Sequence, residues 1–420
     1  MNAEVVLPRR LARATATLFG GNLAMLVLQT LQFVLLARLL GVEAFGRVAA
    51  ANALIAIAIP LAGLGYGNLL LMRASRDRSE APVELGNALG AIGVMGGALV
   101  ALATVIAGVA LGGTQMMALV ATMALSELVL VRSVVVLGQL YQALDRVEVT
   151  SALNIATASC RVAAVVTMMM LGIHDPLSWA LTSCSLTLIL ALLAHVATIR
   201  VLGKPRFDFA RLWASRQDAL HFSLGTGAKA FYTDFDKVVL ARTALAGDLG
   251  AYTAAYRLVT MTFLPVRSLL DASASQFYRQ GAHGMAQSSA FARKLLKIAV
   301  PCGFAGAALI LVGAELAPHV LGPSFHGATP MLRALALLPL IQSIHYVFSD
   351  ALTAAGLQKL RTRLQWLVAA VYAVTAIAVI PGSGWLGAVG VCIGCELLLA
   401  VLVVVAVRRR MTPAEGRGER

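Results

Sequence analysis

The chain has 420 residues; 59% are hydrophobic, 13% are charged, and the formal net charge is +14. Soluble domains are typically about 45–50% apolar and about 25% charged, so a soluble enzyme is excluded, and the same apolar excess excludes disorder. Continuous apolar runs of twenty or more residues exclude a β-barrel, whose strands alternate over roughly ten residues, and leave an all-α integral membrane protein.

Twelve transmembrane helices are expected, at 16–39, 47–71, 87–111, 115–139, 149–173, 177–201, 220–244, 249–273, 296–317, 330–353, 363–382 and 385–407. The first exceeds the apolar core of a cleaved signal peptide, and no small-x-small site follows it. Of the 34 Lys and Arg residues, 24 fall in loops and ends on one side, among them Arg9, Arg73, Arg146, Arg211, Lys294, Arg361 and Arg408. Arg38, Arg47, Arg242 and Arg333 fall on the other side. By the positive-inside rule both termini are cytoplasmic. The basic balance is a topology signal, and no nucleic-acid partner is needed to explain it.

The spans group as a six-helix lobe at 1–202, a basic cytoplasmic linker at 203–219, a second six-helix lobe at 220–410 and a polar tail at 411–420. No loop reaches the roughly 50 residues of a separate soluble domain. That argues against a membrane glycosyltransferase or polysaccharide ligase, which usually carries a large catalytic outer loop. The two lobes show a weak internal repeat at an offset of 204 residues. Leu36-Ala37-Arg38 aligns with Leu240-Ala241-Arg242, Gly46 with Gly250, and Ala50-Ala51 with Ala254-Ala255. A parallel repeat of six spans fits a two-lobed transporter.

Several segments then carry a family likeness. They are Ala37-Arg38-Leu39-Leu40-Gly41 through Phe45-Gly46, and Asp236-Lys237-Val238-Val239-Leu240. Leu249-Gly250-Ala251-Tyr252, Ala255-Tyr256-Arg257-Leu258 and Ala355-Gly356-Leu357-Gln358-Lys359 follow. In order and spacing the chain resembles the polysaccharide (oligosaccharide-lipid) flippases, in the superfamily that also contains multidrug exporters. The resemblance covers nearly the whole chain. It implies two six-helix bundles facing a central cavity that opens alternately to each side. One departure concerns the second span, where such proteins often carry a late acidic residue. Here that stretch reads Leu61-Ala62-Gly63-Leu64-Gly65, so any coupling through that acid is absent.

Ionisable residues at membrane depth are the candidate site. A charge at the bilayer centre costs at least about 2.5–3.5 kcal/mol, so it normally faces protein or a wet cavity. The seventh span carries Lys229, Asp234, Asp236 and Lys237. Helical spacing sets Lys229, Thr233 and Asp236 on one stripe, with Lys237 beside it and Asp234 on the other flank. The eighth adds Arg257, Arg267 and Asp271, and Glu396 is central in the twelfth. In the first lobe Glu127 and Arg161 are central, with Arg132 one to two turns from Glu127.

Two readings stand side by side. Lys229, Arg257, Arg161 and Arg132 are cavity cations for a lipid-linked diphosphate, since guanidinium groups bind phosphate bidentately. Asp236 or Asp234 then binds Na⁺ or a proton, with Lys237, Glu127 and Glu396 as charge partners. Alternatively these groups pair structurally, Glu127 with Arg161 above all. Arg267 and Asp271 reach towards the cytoplasmic boundary, as does Asp350. Asn22, Gln29 and Gln32 share one face of the first span; they either line the cavity or hydrogen-bond neighbouring helices.

Other motifs carry less. Cys392-x-x-Cys395 lies in an apolar helix without a second ligand pair, so no metal site and no cofactor are expected. No disulfide framework is implied by the five cysteines. Gly86, Gly90, Gly93 and Gly97 read as close helix packing. Pro60, Pro265, Pro301 and Pro339 read as kinks. The expectation is a non-enzymatic flippase of the bacterial inner membrane. It moves a polyprenyl-diphosphate-linked oligosaccharide to the outer leaflet for O-antigen, capsule or exopolysaccharide assembly. Membrane lipid and polysaccharide polymerase machinery are its expected partners. The rival is a cation-coupled multidrug exporter on the same fold.

Overall fold

A computed structural model describes the chain at residues 9–244 and 246–411, with side chains described from residue 24 except at 218, 221, 222, 224–226, 229, 272 and 275. The side chains of Asn22 and Lys229 therefore lie outside the described residues. No strand occurs among the described residues. The helices are α1 (Arg9–Ala58), α2 (Tyr66–Arg76), α3 (Ala81–Ala110), α4 (Thr114–Ala124), α5 (Arg132–Ala143), α6 (Val147–Leu171), α7 (Pro176–Leu202) and α8 (Phe209–Ala214). They continue as α9 (Arg216–Thr243), α10 (Ala246–Thr262), α11 (Leu264–Gly281), α12 (Met285–Gly313), α13 (Ala317–Leu321), α14 (Ala328–Leu335), α15 (Leu338–Ala354) and α16 (Gln358–Met411). In a bilayer every backbone polar group must be satisfied within the chain, and continuous helices achieve this.

Eight described segments are long and apolar enough to cross a membrane. Two of these hold an internal break. α1 is interrupted at Gly41 (φ 72°, ψ 173°) and α16 at Gly384 (φ 58°, ψ −137°), conformations that a glycine adopts at little cost. These breaks fall between the first and second and between the last two expected spans. The spans expected at 220–244 and 249–273 coincide with α9, α10 and α11, which are not among the eight found within the described residues. The charged residues Asp234, Asp236 and Lys237 of α9 belong to the candidate site. Three of the four span prolines mark helix boundaries: Pro60 in a 3₁₀ turn, Pro265 opening α11 and Pro339 opening α15. Pro301 instead sits inside an unbroken α12.

Large apolar side chains cover the outside of the helices. Val109 is 85% exposed, Met170 84% and Val312 83%. In water such a surface drives aggregation; in lipid it is the ordinary solvent-facing surface.

Packing divides the chain into two units, between Ala230 and Phe231. In the first unit α1 packs on α6, α6 on α7, and α2 on α3 and α5. Leu69, Leu70, Leu85, Ile92, Leu137 and Leu140 form a common core there. In the second unit α15 packs between α12 and α16, and α10 packs on α14. The repeat positions are alike in burial except for Ala241, which is half-buried where its counterpart Ala37 is fully buried. Leu36, Ala37, Ala50 and Ala51 are buried in the first unit, as are Leu240, Ala254 and Ala255 in the second. Small residues at these places let helices approach closely.

The linker at 203–219 is held against the first unit. The Arg206 amide donates to Pro82 O at 2.8 Å, and the Asp208 amide to Asn87 Oδ1 at 2.9 Å. Tyr66 Oη donates to Leu212 O at 2.6 Å. Arg211 reaches both Glu80 and Glu84 at 2.8 Å, while Arg73 binds Glu84 at 3.0 Å and Ser215 Oγ at 2.8 Å. Hydrogen bonding to Glu80, more than any other influence, raises the Arg211 guanidinium above its ordinary pKa; burial opposes it and Glu84 reinforces it. Gly86 and Gly90 serve this docking rather than helix packing. A Cβ on Gly86 would collide with the Arg206 backbone, and one on Gly90 with the Phe207 ring. A Cβ on Gly93 or Gly97 would meet open space. The expectation of two glycine pairs in a helix–helix contact is thereby corrected: the small faces admit a chain segment 120 residues further on.

Candidate functional site

Among the described residues the second unit encloses a polar cluster at Asp236 and another at Glu396, and the first unit holds one at Glu127 beside the Glu84 network of the linker. The first of them is built on α9 and α10. Asp236 is fully buried and Lys237 nearly so. Lys237 Nζ lies 3.2 Å from Asp234 Oδ1 and 3.4 Å from Asp236 Oδ1, and it also donates to Thr233 O. Tyr252 Oη donates to Asp236 Oδ2 at 2.5 Å. The Tyr256 ring sits under the ammonium at 4.1 Å, a cation–π contact. With all three groups ionised, two carboxylates share one ammonium and one negative charge is left over.

Arg257, one turn beyond Tyr252 on α10, is exposed, and its charge acts on Asp234. Sequence spacing set Lys237 beside the Asp236 stripe and Asp234 on the opposite flank. The flexible lysine stem closes that gap and gathers both acids onto one ammonium. The aromatic partners Tyr252 and Tyr256 stand in the segments that carry the family likeness, and their Tyr-x-x-x-Tyr spacing puts both rings on one helical face.

The second cluster centres on Glu396 of α16. Gln342 Nε2 donates to Glu396 Oε1 at 3.1 Å, and His345 Nδ1 lies 2.9 Å from Oε2. The Tyr346 ring stacks on His345 with centroids 4.2 Å apart. Glu396, His345 and Gln342 are all buried. Cys392, one turn before Glu396, is buried within electrostatic reach of Asp236, Lys237 and Glu396. His345 escaped the sequence reading because its partner lies far along the chain.

The first unit places Glu127 against Arg161, with Arg161 Nη2 donating at 2.5 Å. The pairing of Glu127 with Arg161 expected from the sequence is present. Glu127 stands in a π-helical turn, Leu125–Val131, between α4 and α5. Arg132 follows at once, part-buried and within reach of the Glu127 charge. π-turns add a residue to the helix and occur frequently at functional sites. Gln29 and Gln32 of α1 are half-buried. On the basic end of the second unit, Arg267 pairs with Asp271 at 3.3 Å and Arg361 with Asp350 at 3.5 Å. All five cysteines are free thiols.

An all-α chain with a lipid-facing exterior and ionisable groups enclosed in each unit has the architecture of a membrane transporter. Solved structures place that architecture. The chain is similar to an inward-facing multidrug resistance MATE family transporter of the MOP superfamily, at 16% identity and TM-score 0.69, over 91% of this chain and 96% of that one. It is equally similar to the lipid II flippase MurJ in an inward closed conformation, at 13% identity and TM-score 0.69, over 94% and 87%. A MOP superfamily transporter from Pyrococcus furiosus, described as having a binding pocket of reversed polarity, aligns at 14% identity and TM-score 0.54, over 94% and 92%. The fold is thus that of the MATE- and MurJ-type membrane transporters. No protein of curated function matches the chain in sequence. Residues 11–271 match the family described as polysaccharide biosynthesis protein, and the chain belongs to that family.

Proposed function

We propose that the protein flips a polyprenyl-diphosphate-linked oligosaccharide across the bacterial inner membrane, from the cytoplasmic to the outer leaflet, for surface polysaccharide assembly. The match of residues 11–271 to the polysaccharide biosynthesis family carries this reading. The likeness to a lipid II flippase supports it. In this reading both termini are cytoplasmic, no covalent bond is made or broken, and the lobes alternate in access. Arg257, Lys229, Arg161 and Arg132 meet the diphosphate. Gln29, Gln32 and Asn22 meet glycan hydroxyls. The Asp234–Lys237–Asp236 cluster takes up the coupling Na⁺ or proton, and polymerase machinery receives the product.

A second reading is multidrug export. The equal TM-score to a MATE transporter favours it, and so do the aromatic rings Tyr252 and Tyr256 beside the acidic cluster. One experiment separates the two. In cells lacking the protein, lipids are extracted and polyprenyl-diphosphate oligosaccharides are quantified beside surface polymer. Accumulated complete lipid-linked units with lost surface polymer support the flippase. Unchanged lipids and polymer, in a strain without a second flippase, together with drug sensitivity, favour the exporter.

A further inference from the structure

The basic end of the second unit holds a cavity of about 220 Å³ between α11, α15 and the start of α16. Its polar lining is Arg267, Asp271, Asp350, Thr353 and Arg361, with Phe277 on its apolar wall. Two guanidinium groups and two carboxylates therefore face one small space with no net charge.

The pairings among them are loose. Arg361 Nη1 lies 3.5 Å from Asp350 Oδ1, and its well-formed hydrogen bond goes to Thr353 Oγ1 at 2.7 Å. Arg267 Nε lies 3.3 Å from Asp271 Oδ1, within one helix turn. Arg361 Nε is buried and makes no hydrogen bond among the described residues. A buried donor without an acceptor is costly, about 1–3 kcal/mol for a neutral group and more for a charged one. The Arg361 guanidinium is thus under-paired, and an anionic oxygen arriving in the cavity competes with the long contact to Asp350, as guanidinium groups bind phosphate through parallel N–H donors. The carboxylates then lack their cation and call for an ammonium group.

We propose that this cavity binds a phosphoethanolamine-type zwitterion, the phosphate on Arg361 and Arg267 and the ammonium on Asp350 and Asp271. A diphosphate fits less well, because the two carboxylates oppose its charge. A quaternary ammonium also fits less well, because it has no N–H to give the carboxylates. The volume lies below the roughly 300–1,000 Å³ of drug-sized pockets and suits a small head group. Two sources offer this chemistry: a bilayer phospholipid whose acyl chains lie along the apolar helix faces, and a free phosphoethanolamine-bearing solute. The site is independent of the cargo assigned above, and its test does not depend on transport.

The test uses the purified full-length protein and native mass spectrometry. The probes are phosphatidylethanolamine, its mono-, di- and trimethylated forms, phosphatidylglycerol and soluble O-phosphoethanolamine. Retention of the lipids falls with each added methyl group, to at least tenfold weaker for phosphatidylcholine, and phosphatidylglycerol is also weaker than phosphatidylethanolamine. Arg361→Gln weakens phosphatidylethanolamine at least tenfold, whereas Asp350→Asn shifts the preference towards phosphatidylglycerol. The wild-type methylation series needs no variant to fold. Diacyl lipid binding at least tenfold tighter than O-phosphoethanolamine assigns the site to the bilayer, and equal binding assigns it to a solute. Equal retention of all four methylation states, or wild-type selectivity in both variants, overturns the proposal.

Discussion

Arg161 on α6 grips Glu127 at 2.5 Å, and Glu127 stands in the π-turn that joins α4 to α5. The salt bridge and the irregular turn thus occupy one place in the first unit. Each side chain is roughly three-quarters covered. Two opposite charges at membrane depth are tolerated because each supplies what the bilayer withholds from the other.

Breaking that pair should destabilise the protein more than deleting it. Removing one member of an enclosed ion pair typically costs about 3–5 kcal/mol, while replacing both with neutral residues is often close to neutral. Glu127→Gln is expected to lower the melting temperature in detergent, and Glu127→Gln combined with Arg161→Gln to recover most of it. Size-exclusion thermostability profiles of the three proteins check this. A double variant as unstable as the single one defeats the pairing argument.

Asp236→Asn keeps the shape of the α9–α10 cluster but removes its leftover negative charge. Membrane expression is expected to stay at the wild-type level while transport falls at least tenfold. Tyr252→Phe, which removes one hydrogen bond to the same carboxylate, is expected to lose less. Surface polymer output in a complemented deletion strain measures both. Normal output from Asp236→Asn removes this carboxylate from coupling.

Arg257→Ala is expected to impair transport several-fold more than Arg267→Ala. The first acts on Asp234 and stands beside the buried cluster, whereas the second is held by Asp271 at the basic end of its unit. Equal defects would place the transported group elsewhere. Normal assembly of both variants must be shown by membrane immunoblot.

Gly86→Val is expected to release the linker from the first unit, because even a Cβ there collides with the Arg206 backbone. Limited trypsin digestion should then cut at Arg206 or Arg211 at least tenfold faster than in the wild type. Gly93→Val, where a Cβ meets open space, should leave cleavage unchanged.

Asp175 caps α7 by accepting from the Ser178 amide at 2.8 Å and its hydroxyl at 2.9 Å. Burial pushes its carboxyl pKa up, but those hydrogen bonds, with help from the Leu177 amide and Arg47, outweigh burial and leave it lowered. A lowered pKa gives stability that is complete above the ordinary Asp value of about 3.9 and disappears as pH falls through the folded value. Asp175→Ala should therefore cost about 1 kcal/mol at neutral pH. The gap to wild type should narrow below about pH 4. Thermal melts across that range test the sign.

Much of this architecture was legible in the chain. The apolar runs located the helices, and the depth of Glu127 and Arg161 foretold their pairing. Asp234, Asp236 and Lys237 announced themselves as charges inside a span. What stayed hidden were contacts between elements distant in sequence. Nothing near His345 points to Glu396, because only the packing of α15 on α16 brings them within 2.9 Å. The linker arginines read as topology markers, and positional counting of charge cannot show that Arg211 finds Glu80 and Glu84. Gly86 and Gly90 had helix-packing spacing, and spacing alone does not say whether a helix or a loop fills the groove.

The π-turn at Leu125–Val131 also makes the helical register a matter of residue count. Removing any one residue there would let the backbone relax into an ordinary α-helix, with better hydrogen bonding and no loss of length that a bilayer would notice. Because the wide turn absorbs its extra residue, the helix after it would keep nearly the same face, and α5 would still pack on α2 and α6. The change would fall on the turn itself, where Glu127 takes its direction towards Arg161. A deletion in a regular stretch of the same helix has no such reserve and turns everything after it by about 100°. The π-turn is thus the place in this helix where the count of residues can change without moving the face that follows.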